Sequence, residues 1–175
     1  MKQIVLALDL GGTNMRFAAV ASDGTIVARY RRTTPAEKSL DEMCSAIMSG
    51  FDKVKEKAAN HKPIAVAAAV PTTSCNSDGK LSRLPNLPVL DNFELGKLLR
   101  QAFNTDVAIL NDATSATVGE HWLGASRGLD NVIGVTLGTG VGGGIIINGS
   151  PFTGKDGSAG EVGHLCVVAE GRACG

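Results

Sequence analysis

The chain has 175 residues, 43% of them apolar, with 17 Lys and Arg against 17 Asp and Glu. That length suits one domain, or one domain with part of another, and the apolar share can fill a core. Balanced charge excludes a global field that would draw nucleic acid or an acidic membrane, and no apolar run is long enough to span a bilayer.

Residues 3–9, 15–21 and 25–33 read as a three-stranded antiparallel meander, with Ser22-Asp23-Gly24 as the second turn. Leu40, Met43, Cys44, Ile47, Phe51 and Val54 recur at helical spacing, so Ser39 to Asn60 is expected to be an amphipathic helix, and Pro63 blocks its continuation. Ile64 to Val70 is a continuous apolar run, the mark of a buried central strand. Residues 71–92 are rich in Pro, Ser, Asn and Asp and read as a long loop. A short helix from Phe93 to Phe103 and a buried strand from Val107 to Leu110 follow. Asn111-Asp112 can cap a helix from Ala113 to about Leu123, and residues 124–130 read as a link. Trp122 and His121 are expected to be packing and surface residues, and Cys44 and Cys75 carry no chemical signal. Strands with an early helix imply a mixed α/β sheet.

A second hairpin then repeats the first. Val5 to Val20 (VLALDLGGTNMRFAAV) and Val132 to Ile147 (VIGVTLGTGVGGGIII) each read as strand, glycine-rich turn and return strand. Displaced by 127 positions, Asp9 falls on Thr136, Gly11 on Gly138, and Ala18 to Val20 on Ile145 to Ile147. Glycine permits positive φ and removes side chains, so backbone N–H groups can converge on an anion. Two facing hairpins of this kind suit a cleft that grips a polyphosphate from both sides.

Two apparent motifs fail on their context. Gly138-Thr-Gly-Val-Gly-Gly143, with Glu161 downstream, fits a dinucleotide fingerprint, but Ile145, Ile146 and Ile147 favour a strand where that motif needs a helix. Gly149 to Lys155 begins like a P-loop, but Asp156 stands where a Ser or Thr must meet magnesium.

The surviving motifs suit phosphoryl transfer. Gly11, Gly12 and Thr13 offer backbone amides, Thr13 and Asn14 add side-chain donors, and Arg16 is within reach of the cleft. Asp9 would repel phosphate unless it holds Mg2+ through water. Alone, this is a plain hairpin with an Asp at its turn; the second copy reverses the odds. Asn111-Asp112 reads equally as a helix cap and as a general base at a strand end. Glu161 and His164, among small residues, suit hydrogen bonds to sugar hydroxyls, although a satisfied loop pair is the commoner use of such residues.

Asp9-Leu-Gly-Gly-Thr-Asn14, Asn111-Asp112-Ala113, Leu137 to Gly144 and Gly160-Glu-Val-Gly-His164 together resemble, in order, the motifs of the ROK family of sugar kinases and related repressors. The resemblance implies an actin/hexokinase-like (ribonuclease H-like) α/β fold. Residues 1–123 would form an N-terminal domain and 124–175 the start of a second, similar one. It implies an ATP-dependent, Mg2+-assisted transfer to a hydroxyl of a hexose or N-acetylhexosamine, with glucose the leading acceptor. Its site residues carry over one by one. Asp9, Gly11, Gly12, Thr13 and Asn14, with Gly138, Thr139 and Gly140, would bind the nucleotide phosphates. Asp112 would be the catalytic base. Asn86, Asn111, Asp112, Glu161 and His164 would contact the sugar.

The family also implies Zn2+ in the full-length parent, on His164 and three cysteines of which Cys174 matches the first. Two ligands cannot close a structural zinc site, and Cys166 reads as a buried thiol on a strand. The matching family segment continues past Gly175, so the chain alone is expected to be a poor kinase. Ala69-Val70-Pro71-Thr72-Thr73 departs from the family's Pro-Gly turn. Met1-Lys2-Gln3 leads directly into a strand without a cleavable signal, and four irregularly spaced cysteines suggest no disulfide framework, so a cytoplasmic setting is expected. A homodimer of the parent is compatible with the sequence. The alternative readings are a ROK-type transcriptional regulator and a non-catalytic sugar-binding protein. The first hairpin begins too early for a preceding DNA-binding segment, which argues against the regulator.

Overall fold

The computed structural model describes residues 1–72, 74–75, 78–82, 84–138 and 140–171, with backbone alone at 74–75. The meander forms as expected: β1 (Lys2–Leu10) pairs antiparallel with β2 (Asn14–Val20), and β2 with β3 (Ile26–Thr33). α1 (Leu40–Lys57) is capped by Ser39, whose hydroxyl accepts from the Glu42 amide while the Glu42 carboxylate accepts from the Ser39 amide. The Ser39 amide, then its hydroxyl, hold the exposed Glu42 carboxyl below its ordinary value. That contribution to the cap is present at neutral pH and is lost as pH falls through the lowered value.

β4 (His61–Val70) begins earlier than Ile64 and contains Pro63. Proline cannot donate to a ladder, and the parallel pairing with β1 shifts register there: Ile4 faces Pro63 while Val5 faces Ala65. The described residues of the 71–92 segment include regular elements where a loop is expected. β5 (Ser74–Cys75) pairs with β6 (Leu81–Ser82), and Pro88–Leu90 form a 3-10 turn. Leu81, Leu84, Leu87 and Leu90 are all buried, so a leucine every third residue anchors an otherwise polar stretch. α2 (Leu95–Phe103) ends at Asn104 in the left-handed conformation, which lets the chain turn into β7 (Asp106–Asn111). α3 (Asp112–Leu123) then precedes β8 (Val132–Leu137), β9 (Val141–Ile147) and β10 (Ser150–Pro151). A last 3-10 turn covers Val162–His164.

The strands form a mixed five-stranded sheet in the order β3-β2-β1-β4-β7, with β1, β4 and β7 parallel, and a three-stranded sheet in the order β10-β9-β8. The mixed α/β architecture read from the sequence is therefore the one that forms. The core lies on one face of the larger sheet. Leu6, Leu8 and Leu10 of β1, Met15 and Phe17 of β2, and Val66 and Val70 of β4 point to it, and Met43, Ile47, Phe51 and Val54 of α1 cover it. Phe17 and Phe51 meet edge to face, 5.2 Å between centroids, and Phe51 meets Phe103 in the same way at 5.1 Å.

The opposite face differs from expectation. β4 is central, yet its residues alternate between buried and partly exposed, and Ile64 is 41% exposed. β7, read as buried, is a half-exposed edge strand. The reason is that α1 and α2 cover one side only. On the other, Ala7, Ala18, Ala67 and Ala108 stand in one cross-strand row. With Ala69, these small residues floor a groove of about 820 Å³ whose far wall includes Trp122, which is 47% exposed. No helix among the described residues is long and apolar enough to cross a membrane.

The tight packing of α1 on β2 gives a stability test. A Cβ at Gly50 would collide with the Phe17 ring. Gly50→Ala gains helix propensity of about 1 kcal/mol, but overpacking costs about 1–3 kcal/mol. Thermal denaturation should therefore show a lower Tm; an unchanged or higher Tm would show that α1 sits further from β2.

Candidate active site

The parallel strands β1, β4 and β7 end on the same edge of the sheet, and most of the polar residues singled out by the sequence stand there. In open α/β sheets this carboxyl edge is where ligands bind, because side chains and loops converge without ladder partners.

The first hairpin turn lies just beyond β1. Asp9 pairs across the ladder with Arg16, and the Arg16 guanidinium donates to the Asp9 carboxylate at 2.6 Å. Both side chains are exposed, so the ion pair orients Asp9 more than it stabilises the fold. The Gly11 amide donates to the Asn14 carbonyl at 2.9 Å and closes the turn. Arg31 Nε donates to Asn14 Oδ1 at 3.1 Å, which leaves the Asn14 amide nitrogen as the outward donor. Asn86 lies against this turn: a Cβ at Gly12 would stand 3.2 Å from Asn86 Cβ. Asn86 is exposed between buried Leu84 and Leu87, so the packing of its neighbours presents it to the hairpin.

At the end of β7 the chain divides two roles between adjacent residues. Asn111, not Asp112, caps α3: its Oδ1 accepts from the Thr114 amide at 3.0 Å. Its Nδ2 donates to the Thr72 carbonyl at 3.0 Å. Asp112 is the first helical residue and is exposed. One of its carboxylate oxygens accepts from the Ala113 amide at 2.8 Å. The other has no hydrogen-bond partner among the described residues, so an oxygen able to accept a proton stands at the helix start.

α3 rests mainly on β8 and β9. A Cβ at Gly142 would stand 2.8 Å from Ala113 Cβ, and one at Gly144 would stand 2.8 Å from Thr114 Cα. The glycines of the second hairpin thus bring the start of α3 against its return strand. Gly143 faces the other way, where a Cβ would meet the Gly160 carbonyl and Val162. That contact carries the segment holding Glu161 and His164. The His164 ring lies 3.7 Å from the Glu161 carboxylate. No hydrogen bond or ion pair joins these two to Asp112 among the described residues.

Gly138 and Gly140 are exposed at the tip of the second hairpin, where the Gly138 amide donates to the Gly140 carbonyl at 2.9 Å. Thr139 lies outside the described residues, as does Cys174. Cys166 corrects the sequence reading: it is exposed and lies outside any strand. Among the described residues, no group of three His, Cys, Asp or Glu side chains is gathered to hold a metal ion.

Sequence reasoning missed Thr72. It is buried, its hydroxyl donates to the Ser82 carbonyl at 2.6 Å, and its carbonyl receives Asn111. The departure from a Pro-Gly turn marked the position, but its partners are distant in sequence and left no local signal.

The sequence profile of the ROK family matches residues 5–175. The chain is 32% identical over 170 residues to a glucokinase of Thermotoga maritima, covering 97% of this chain and 53% of that protein. It is 38% identical over 174 residues to an N-acetylmannosamine kinase of Vibrio cholerae, covering 97% of this chain and 57% of that one. The structure of a ROK family glucokinase from Streptomyces griseus, in complex with glucose and AMPPNP, superposes with a TM-score of 0.83 at 31% identity, over 96% of this chain and 52% of that chain. The chain spans about half the length of these curated relatives.

Asn111 generates the test of this geometry. Asn111→Ala removes both the cap and the link to Thr72, and loss of such a cap costs about 1–2 kcal/mol. Chemical denaturation should show a loss of that size with an unchanged m-value. No loss would mean that α3 begins without help from Asn111.

Proposed function

Because this chain belongs to the ROK family, we propose that the full-length protein is an ATP-dependent sugar kinase acting on a hexose or N-acetylhexosamine. The observation that carries the reading is the carboxylate oxygen of Asp112 that has no hydrogen-bond partner among the described residues, at the carboxyl edge of the sheet, beside an asparagine that already supplies the helix cap. The relatives named as glucokinase and N-acetylmannosamine kinase support the acceptor class.

In this reading the sugar hydroxyl meets Asp112, which takes its proton as the hydroxyl oxygen bonds to the γ-phosphorus. The bond from that phosphorus to the bridging oxygen breaks, and ADP leaves. A carboxylate is a weak base, and it suffices because the transition state is loose and the proton can leave late. The protein mainly positions and neutralises. Gly12 and Thr13 amides of the first turn, and Gly138, Thr139 and Gly140 of the second, hold phosphate oxygens from opposite walls. Asn86, Asn111, Glu161 and His164 orient the sugar. Asp9 would hold Mg2+ through water, and that ion would supply neutralising charge to the triphosphate. His164 and Cys174 would contribute to a zinc site completed by further residues of the full-length protein. A second domain beginning near residue 124, a cytoplasmic setting and a homodimer belong to the same proposal.

Sugar-dependent ADP release by the full-length protein tests the reading, since a regulator or a sugar-binding protein would release none. A panel of glucose, N-acetylglucosamine, N-acetylmannosamine, allose, mannose and fructose, ranked by kcat/KM, identifies the acceptor. Asp112→Asn should lower kcat by about 10²–10⁴-fold while sugar affinity stays close to wild type. Turnover retained in that variant removes Asp112 from the base role.

A further inference from the structure

We propose that Thr34 is a positioning residue for phosphoryl transfer: it locks the peptide planes of the first hairpin so that the Gly12 N–H points toward the phosphate. The inference rests on the kinase reading above.

Thr34 follows the last residue of β3 and is only 5% exposed. Its hydroxyl donates to the Gly11 carbonyl at 2.6 Å. Its amide donates to the Thr13 carbonyl at 2.9 Å. One residue thus holds two carbonyls of the turn, and the Gly11 amide holds a third, that of Asn14.

The consequence follows from the shape of the peptide unit. In a trans peptide, C=O and N–H point in opposite directions. All peptide bonds described here are trans. A Gly11 carbonyl drawn inward to Thr34 therefore turns the Gly12 N–H outward. Among the described residues, the Gly12 and Thr13 amides have no hydrogen-bond partner, so both donors are available to an anion.

Without such a lock the arrangement would be fragile. Glycine occupies both signs of φ with little penalty, and adjacent glycines let a peptide plane turn over. A flip would replace a donor with a carbonyl oxygen, which repels phosphate. The Thr34 hydroxyl rewards one orientation only. Donors fixed in advance stabilise developing charge without reorganisation during the reaction. Among the described residues of the second hairpin, Gly138 bonds to Gly140 within the turn, and a Cβ at either would meet nothing within 4 Å.

The test compares Thr34→Val, which keeps the shape and removes the hydroxyl, with Thr34→Ser, which keeps the hydroxyl, both in the full-length protein. Thr34→Val should raise KM for ATP by about tenfold or more and lower kcat, with KM for the sugar within about twofold of wild type. Thr34→Ser should restore the ATP constants to within about threefold. Unchanged ATP constants in Thr34→Val would overturn the proposal. So would a parallel loss of ATP and sugar constants that Thr34→Ser fails to rescue. Should Thr34→Val fail to fold, Thr34→Ala makes the same comparison without a second methyl in the site. Amide NMR separates this inference from the kinase reading. If the wild type releases no sugar-dependent ADP, the kinase reading fails, but the Gly12 amide resonance must still shift or broaden in the hydroxyl-less variant and return in Thr34→Ser. A Gly12 resonance indifferent to Thr34 ends the proposal in either case.

Discussion

Close approach to the second hairpin is the constraint that places the start of α3. Gly134, Gly142 and Gly144 turn their missing side chains toward α3, and Gly143 turns its own toward Gly160. A methyl group at any of the first three would strike Ala113, Thr114 or Thr117. The hairpin is therefore thin on both faces. One face admits a helix and the other admits the turn that carries Glu161. Thr117 fits this narrow interface because its hydroxyl donates to the Ala113 carbonyl at 2.9 Å, which satisfies a buried polar group within its own helix. The position of Asp112 follows from this packing: it opens the helix that the glycines allow in.

A second constraint is the alternation of the larger sheet. β1 sends Leu6, Leu8 and Leu10 to the core and sends Ala7 and Asp9 to the open face. Along that face the cross-strand rows change character toward the carboxyl edge. One row carries Arg29, Ala18, Ala7, Ala67 and Ala108; the next carries Arg31, Arg16, Asp9, Ala69 and Leu110. Charge is confined to the outer part of these rows and to the hairpin end, where water or a polar ligand can solvate it. Burying such an ion pair would cost more than the pairing returns. Asp9 is thus accommodated by its place on the exposed edge and by Arg16 alongside.

What the sequence disclosed follows from the range of each interaction. Period-two and 3.6-residue patterns act over a few residues, and they located the meander, α1, α2, α3 and both hairpins. The repeated glycine turn was legible because residues of the same kinds recur at the same spacing. The open face was not legible, since an alanine-rich run such as Ala65 to Ala69 looks the same whether a helix covers it or not. Residues 71–92 misled because Pro, Ser, Asn and Asp fill half the positions while Leu81, Leu84, Leu87 and Leu90 are the buried anchors. Cys166 was misread for a related reason: a cysteine between apolar residues gives no indication of which neighbours exist to bury it. Contacts such as Asn111 with Thr72 span 39 positions and leave no trace in local composition.

The pair Asn111-Asp112 shows how structure separates roles that composition leaves tied. A helix start needs one side-chain acceptor at the cap, and either residue can supply it. Asn111 takes that task, and its amide nitrogen is spent on Thr72. Asp112 is then surplus to the cap. A negative charge in the first turn is favoured by the exposed N–H groups there, so the helix keeps a carboxylate at this point without burying it. A residue retained only for that favourable interaction could point anywhere into solvent. Asp112 instead begins the helix held against Gly142, at the end of a parallel strand. Its position is fixed by packing while its outer oxygen has no hydrogen-bond partner among the described residues, and that combination is what a base acting on a bound alcohol would require.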